Sequence, residues 1–190
     1  MTWQAVWRGR EEYQNSSRIR TRYRWERRRH EVKALVVYDS VFGNTEKVAE
    51  AMGEALGNQA EVQALRVGNV KPEHMQASDV LIVGSPTRAF SPTPAIKSWL
   101  QSLPANSLQG TRVAAFDTRV DVREVGSAIL TFMVGIFGYA AKPIGKRLVH
   151  KGGELAVPPE GFIVGGREGP LKEGELDRAA DWAQRILPEI

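Results

Sequence analysis

The chain has 190 residues, the length of one ordinary domain with a tail, and its 42% apolar content and five Trp suffice for a packed core. It contains no Cys, which excludes disulfides, thiolate nucleophiles, Cys-ligated zinc and Cys-ligated iron–sulfur clusters, so any redox chemistry requires a bound organic cofactor. No apolar run reaches the about 18 residues of a membrane-spanning helix. The longest candidate, Ala128–Ala141, is broken by Gly135 and Gly138, and a cytoplasmic protein without a membrane span is expected.

The net charge of +4 is unevenly divided. Residues 1–31 hold nine Arg against four Glu, whereas residues 32–190 hold 17 basic and 18 acidic side chains. Residues 1–31 are therefore set apart as an Arg-rich extension and 32–190 as the domain. Three readings of the extension stand side by side. Arg28-Arg29 could be encoded by a purine-rich, ribosome-binding run ahead of a GTG start at Val32, making the segment a mis-called start. Its lack of apolar periodicity also suits a disordered tail. Arg interleaved with aromatics over Arg18–Arg29 suits a nucleic-acid arm; no nucleic acid is expected for 32–190.

The domain alternates strands and helices. Ala34–Tyr38 is a short apolar run, as in a strand buried on both faces of a parallel sheet. A helix follows with Val48, Met52 and Leu56 on one face, stopped by Gly57-Asn58. Ala60–Val67 is a second strand and Lys71–Gln76 a short helix. Asp79–Gly84 is a third strand, again wholly buried. Thr93 caps a helix opened by Pro94, with Ile96, Trp99, Leu100 and Leu103 inward. Thr111–Phe116 is the fourth strand. Ser127–Val149 supplies a helical crossover kinked near Lys142-Pro143. Glu154–Val157 and Gly161–Val164 form a fifth strand interrupted by Pro158-Pro159. Leu176, Ala179, Ala180, Ala183 and Leu187 define a closing helix.

Five strands alternating with helices imply an α/β fold, a doubly wound parallel sheet with right-handed crossovers. Ligands of such sheets lie beyond the carboxyl ends of the strands. Three segments reach that edge: Asp39–Thr45, Ser85–Pro92 and Asp117–Gly126.

The first has the most chemical content. Tyr38-Asp-Ser-Val-Phe-Gly-Asn-Thr-Glu46 stands between a buried strand and an amphipathic helix. The unpaired N–H groups of a helix N-terminus accept a phosphate. Ser40 and Thr45 add hydroxyls, Asn44 an amide, and Gly43 permits close approach and positive φ. The loop holds no Lys or Arg. An ordinary capped turn, with Asn44 or Thr45 as N-cap, is the alternative.

Val36–Ala49 resembles the FMN-phosphate loop of flavodoxins, a hydroxyl-rich turn ending in Gly-Asn-Thr-Glu, with Ser40, Gly43, Asn44 and Thr45 matching position by position. Phe42 departs from the pattern, which usually has Thr or Ser there. Asp79–Thr87 is similar to the family's third strand and the start of its flavin loop. The resemblance spans Lys33–Ile190. It implies a flavodoxin-like sheet of order 2-1-3-4-5 and FMN as cofactor. It places the phosphate on Ser40, Val41, Phe42, Gly43, Asn44 and Thr45. The flavin ring would lie on main-chain groups of Pro86, Thr87, Arg88 and Ala89, with Phe90 against one face or packed into the neighbouring helix. Asp117, Thr118 and Arg119 would contact the ring or ribityl chain, although Arg119 and Arg123 also suit surface charges. The loop after the fourth strand lacks the Tyr or Trp that flavodoxins commonly stack on the ring.

Other chemistries find no support. There is no Gly-x-Gly-x-x-Gly after a strand, no P-loop spacing and no Gly-x-Ser-x-Gly elbow. His30, His74 and His150 stand at no metal-ligand spacing, so no metal is expected. Asp39 and Asp117 end strands at the binding edge, where turn roles suit them better than paired catalysis, and no catalytic residue is assigned. The resemblance implies electron transfer with a redox partner protein or a small-molecule acceptor. Two alternatives are an FMN-dependent NAD(P)H or quinone reductase and a flavin-free interaction module of the same fold. The near-neutral domain weakens the carrier reading, and the missing nicotinamide motif weakens the reductase reading. The apolar Ala128–Ala141 stretch is a buried helix or, alternatively, a patch for a homodimer partner, a membrane surface or a quinone.

Overall fold

The computed structural model describes residues 31–122 and 138–187. All of these but Glu31 fall in one compact unit, Val32–Ile190. The element order is β1 Val32–Tyr38, α1 Asn44–Leu56, β2 Ala60–Arg66, a 3₁₀ turn at Val67–Asn69, and α2 Pro72–Gln76. There follow β3 Val80–Pro86, α3 Pro94–Ser102, β4 Arg112–Val120, α4 Ala141–His150, β5 Glu154–Leu155, β6 Glu160–Val164 and α5 Glu175–Gln184. The Arg-rich extension, Arg123, and the larger part of Ala128–Ala141 lie outside the described residues.

All named strand pairings are parallel, in the order β2-β1-β3-β4-β5, with β6 also pairing β4. The expected order 2-1-3-4-5 is therefore present. Its fifth position is filled by two segments. β5 pairs Glu154 with Arg112 and Leu155 with Val113, and β6 resumes at Phe116↔Glu160. Pro158-Pro159 separates them, since proline has no N–H to give to a ladder.

Strand alternation divides the core between the two faces of the sheet. Ala34, Val36 and Tyr38 of β1 face α1 and α5, with Val48, Met52 and Leu56 all fully buried there. Leu35 and Val37 face α3 and α4, through Ile96, Leu100, Ile144 and Leu148. On the first face Phe116, Phe162 and Trp182 form an edge-to-face trio with centroids 6.0–6.5 Å apart. Of the five Trp, only Trp99 and Trp182 belong to the described core. Thr93 caps α3 as expected, its hydroxyl accepting the Ile96 N–H at 3.4 Å.

Four expectations are corrected. Pro143 produces no kink, because it occupies the first turn of α4, where its missing N–H would have had no helical partner. β4 does not end at Phe116 but runs to Val120, so Asp117–Val120 are strand and not loop. β3 likewise takes in Ser85 and Pro86. In α5 the buried positions are Ala179, Trp182 and Ala183, while Leu176 is 41% exposed.

Candidate functional site

A cleft of about 390 Å³ opens beyond the carboxyl ends of β1, β3 and β4. Ten of the residues expected from the sequence line it: Val41, Phe42, Asn44 and Thr45 from the first segment, Pro86, Thr87, Arg88 and Ala89 from the second, and Thr118 and Arg119 from the third. Val120, Val164 and Arg167 join them. Ser40, Gly43, Phe90 and Asp117 stand behind or beside this lining.

The first segment is shaped to leave a helix end open. Gly43 is the N-cap of α1, with φ 83 in the left-handed region and no side-chain cap hydrogen bond. A Cβ at Gly43 would meet nothing within 4 Å. Neither Asn44 nor Thr45 acts as the cap. Asn44 Nδ2 donates to the Glu168 carbonyl at 2.8 Å, and the Thr45 hydroxyl lies 2.8 Å from that of Thr118. The expected cap is thereby corrected: the turn is capped by the Gly43 backbone and not by the Asn44 or Thr45 side chain. Lys47 is the first residue of α1 to return its N–H to a carbonyl, that of Gly43. The Asn44, Thr45 and Glu46 N–H groups have no helical carbonyl to reach.

Two further features bear on this loop. Ser40 is 6% exposed, and its buried Oγ has no hydrogen-bond partner among the described residues. A buried hydroxyl left unpaired costs about 1–3 kcal/mol. The Ser40 carbonyl accepts from Arg66 Nη2 at 2.5 Å, so an arginine of β2 steadies the loop from outside the cleft. Asp39 takes the turn role expected of it, Oδ1 accepting the Ser40 N–H at 2.9 Å. Phe42 and Val41 are 46% and 44% exposed.

In the second segment most main-chain donors are already engaged. The Thr87 N–H goes to the Thr118 carbonyl at 2.9 Å and the Arg88 N–H to Ser91 at 2.9 Å. Pro86 has none, so of Pro86–Ala89 the Ala89 N–H is the one with no such bond among the described residues. Arg88 and Ser91 close an antiparallel two-residue turn whose central residues, Ala89 and Phe90, have φ 44 and 62. Left-handed backbone in residues other than glycine stores of order 1–2 kcal/mol each.

At the end of β4, Asp117 is fully buried and not a turn residue. Arg119 donates to it through Nε at 2.5 Å and Nη2 at 2.8 Å. The Ala141 N–H, at the start of α4, donates to Oδ2 at 2.7 Å. Burial pushes the Asp117 carboxyl above the usual aspartate range; Arg119, the Ala141 N–H and the Thr87 hydroxyl pull it back. Arg119 also lies over the Tyr139 ring at 3.9 Å from its centroid. It is therefore a packed, paired group and not a surface charge.

Arg167 is the functional candidate the sequence reading missed. It belongs to the turn Gly165-Gly-Arg-Glu-Gly-Pro170 after β6, a glycine-rich turn at the carboxyl end of a parallel strand. That position was the available signal, since every such turn faces the same edge. Among the described residues Arg88, Arg119 and Arg167 line the cleft, and no carboxylate does. Among the described residues no His, Cys, Asp and Glu group could hold a metal, and no helix is long and apolar enough to cross a membrane.

Comparison with known proteins agrees with this architecture. A curated flavodoxin from Clostridium saccharobutylicum is 24% identical over 161 residues, covering 84% of this chain and 98% of that protein. A solved flavodoxin from the domain Archaea superposes with a TM-score of 0.63 at 23% identity, covering 82% of this chain and 96% of that one. Oxidised flavodoxin 2 from Bacillus cereus superposes with a TM-score of 0.61, also at 23% identity, covering 82% and 97%. Residues 35–132, over half of the sequence, match the model of the flavodoxin domain, and the chain belongs to that family.

Proposed function

We propose that this protein binds FMN in the cleft at the carboxyl ends of β1, β3 and β4 and passes electrons to and from a redox partner. One observation carries the reading: α1 begins at a left-handed Gly43 with no side-chain cap, leaving its dipole and N–H groups to an anion. The unpartnered Ser40 Oγ beside it is what a phosphate oxygen would satisfy. The residues present therefore fit the group. Ser40, Gly43, Asn44 and Thr45 would hold the phosphate, with Val41 and the Phe42 N–H completing that loop. The ring system would lie between Pro86–Phe90 and Asp117–Arg119. FMN, when bound, would supply reversible one- and two-electron chemistry.

The chain's own residues do the positioning. The Thr45–Thr118 hydroxyl pair ties the phosphate loop to β4, and the Thr87 N–H ties the second loop to the same Thr118. The Asp117–Arg119 pair fixes the end of β4 against α4. A rigid frame of this kind holds a cofactor without reorganisation on electron exchange.

The test is calorimetric titration of the protein with FMN, FAD and riboflavin, followed by spectroscopic reduction. A helix N-terminus suits a terminal phosphate monoester, so FMN is expected to bind far more tightly than either relative. Dithionite is expected to reduce the bound flavin, and NADH and NADPH to do so slowly or not at all. Failure of all three flavins to bind would overturn the proposal. Rapid reduction by NADH or NADPH would replace the carrier with a reductase.

A further inference from the structure

The Ser40–Thr45 loop contains no basic residue, yet the dianion proposed to rest on it would gain from one. The structure brings a guanidinium there from 122 positions further along the chain than Thr45. The turn after β6 is closed by Gly165 N–H to the Pro170 carbonyl at 2.8 Å and by Gly169 N–H to Gly166 at 3.2 Å. It is docked on the start of α1 through the Asn44 Nδ2 to Glu168 carbonyl bond, 2.8 Å. Only glycine permits that docking. Gly169 has φ +106, and a Cβ there would lie 2.5 Å from Asn44 Nδ2.

The consequence is that Arg167 enters the lining of the same cleft as Asn44 and Thr45. The other arginines nearby are differently placed. Arg66 is bonded to the Ser40 carbonyl and does not line the cleft. Arg119 is paired with the buried Asp117. Arg88 also lines the cleft and stands within 4 Å of no carboxylate among the described residues, but it is carried by the turn after β3, whereas the turn bonded to Asn44 is the one that carries Arg167. Arg167 is exposed and stands within 4 Å of no carboxylate among the described residues. Glu46, the acidic residue of the first turn of α1, accepts the Tyr38 hydroxyl instead.

We infer that Arg167 is a phosphate-binding residue of this cleft, supplying from the β6–α5 turn the positive charge absent from the β1–α1 loop. This rests on the FMN reading and adds to it: the site selects a phosphate monoester dianion by charge as well as by helix N–H groups. A guanidinium can meet two phosphate oxygens with parallel N–H bonds, which lysine cannot.

The experiment titrates the full chain, wild type and variants, with FMN and riboflavin, and measures melting with and without inorganic phosphate. Arg167→Met is expected to lower FMN affinity about 10- to 100-fold, the worth of one charge-assisted contact, and to flatten its salt dependence. Riboflavin affinity is expected to stay unchanged. Arg167→Lys should restore part of the loss, and Arg88→Met should not discriminate between the two flavins. Inorganic phosphate is expected to raise the melting temperature of the wild type and not of Arg167→Met. Equal FMN affinity in Arg167→Met and wild type overturns the inference. So does a parallel loss of FMN and riboflavin, which would make Arg167 a wall of the cleft. If the wild type binds neither flavin, the FMN reading fails on its own. Protection by phosphate that depends on Arg167 would then still support the anion contact, and its absence would end both.

Discussion

Thr45, at the start of α1, and Thr118, near the end of β4, are 73 positions apart and share a buried hydroxyl–hydroxyl hydrogen bond of 2.8 Å. Either can be the donor. A phosphate oxygen only accepts, so a bound dianion would turn the Thr45 proton towards itself and make Thr118 the donor to Thr45. The two hydroxyls would then form a short chain in which each bond polarises the next.

That arrangement sets the first prediction. Thr45→Val keeps the shape and removes the donor to phosphate. FMN affinity should fall by about one to two powers of ten, from the roughly 1.5–3 kcal/mol of a hydrogen bond to a charged group. Riboflavin binding should hardly move. Thr118→Val removes only the second link and should weaken FMN binding less. Calorimetry on both variants checks the order; an unchanged Thr45→Val would remove its hydroxyl from the phosphate site.

Phe42 stands where flavodoxins usually carry a hydroxyl, and nearly half of it is exposed. Little packing is lost by replacing it, so Phe42→Thr should change stability by no more than about 0.5 kcal/mol. FMN affinity should rise several-fold, within the roughly 0.5–1.5 kcal/mol net worth of an added hydrogen bond. Weaker binding of FMN and riboflavin alike would show instead that the Phe42 ring serves as an apolar contact of the flavin.

Much of this architecture is legible in the sequence because β1 and β3 are buried on both faces. Their unbroken apolar runs name them, and Thr93-Pro94 names the start of α3. The end of β4 is not legible. Asp117, Thr118 and Arg119 read locally as a polar loop, but the ladders to β3 and β6 carry the strand through them, and their polar side chains find partners. Asp117 bonds Arg119 and the Ala141 N–H, and Thr118 bonds Thr45, from as far as 73 positions away. A local window sees the polarity and not the partners. Leu176 shows the converse error, being in phase with the buried face of α5 and yet exposed, while Trp182 carries the core contact there.

Tyr38 supplies a pH prediction. Its hydroxyl donates to Glu46 at 2.7 Å, and burial, then Glu46, pushes its pKa from 10.0 up to about 12. The folded phenol thus holds its proton after the unfolded one has lost it. Its contribution to stability is complete below pH 10 and is lost as pH rises towards 12. In urea unfolding, the advantage of wild type over Tyr38→Phe should be constant up to about pH 9 and shrink above it. An advantage that grew with alkalinity would contradict the sign.

Asp117 and Arg119 form a pair whose parts are unequal to the whole. Asp117→Asn leaves the Arg119 guanidinium, only 19% exposed in its side chain, without its carboxylate. Removing one partner of a buried pair typically costs about 3–5 kcal/mol, and the partial exposure of Arg119 places the expected loss near the lower end, about 3 kcal/mol. It also removes a charge from the start of α4, where the Ala141 N–H points at Oδ2. Arg119→Met should likewise destabilise, since it strands a buried carboxylate. The double variant Asp117→Asn with Arg119→Met strands no charge and should recover much of either loss. Urea unfolding of the four proteins closes the cycle. Additive losses would mean that the two side chains act independently, and that the end of β4 is held by its ladder to β6 alone.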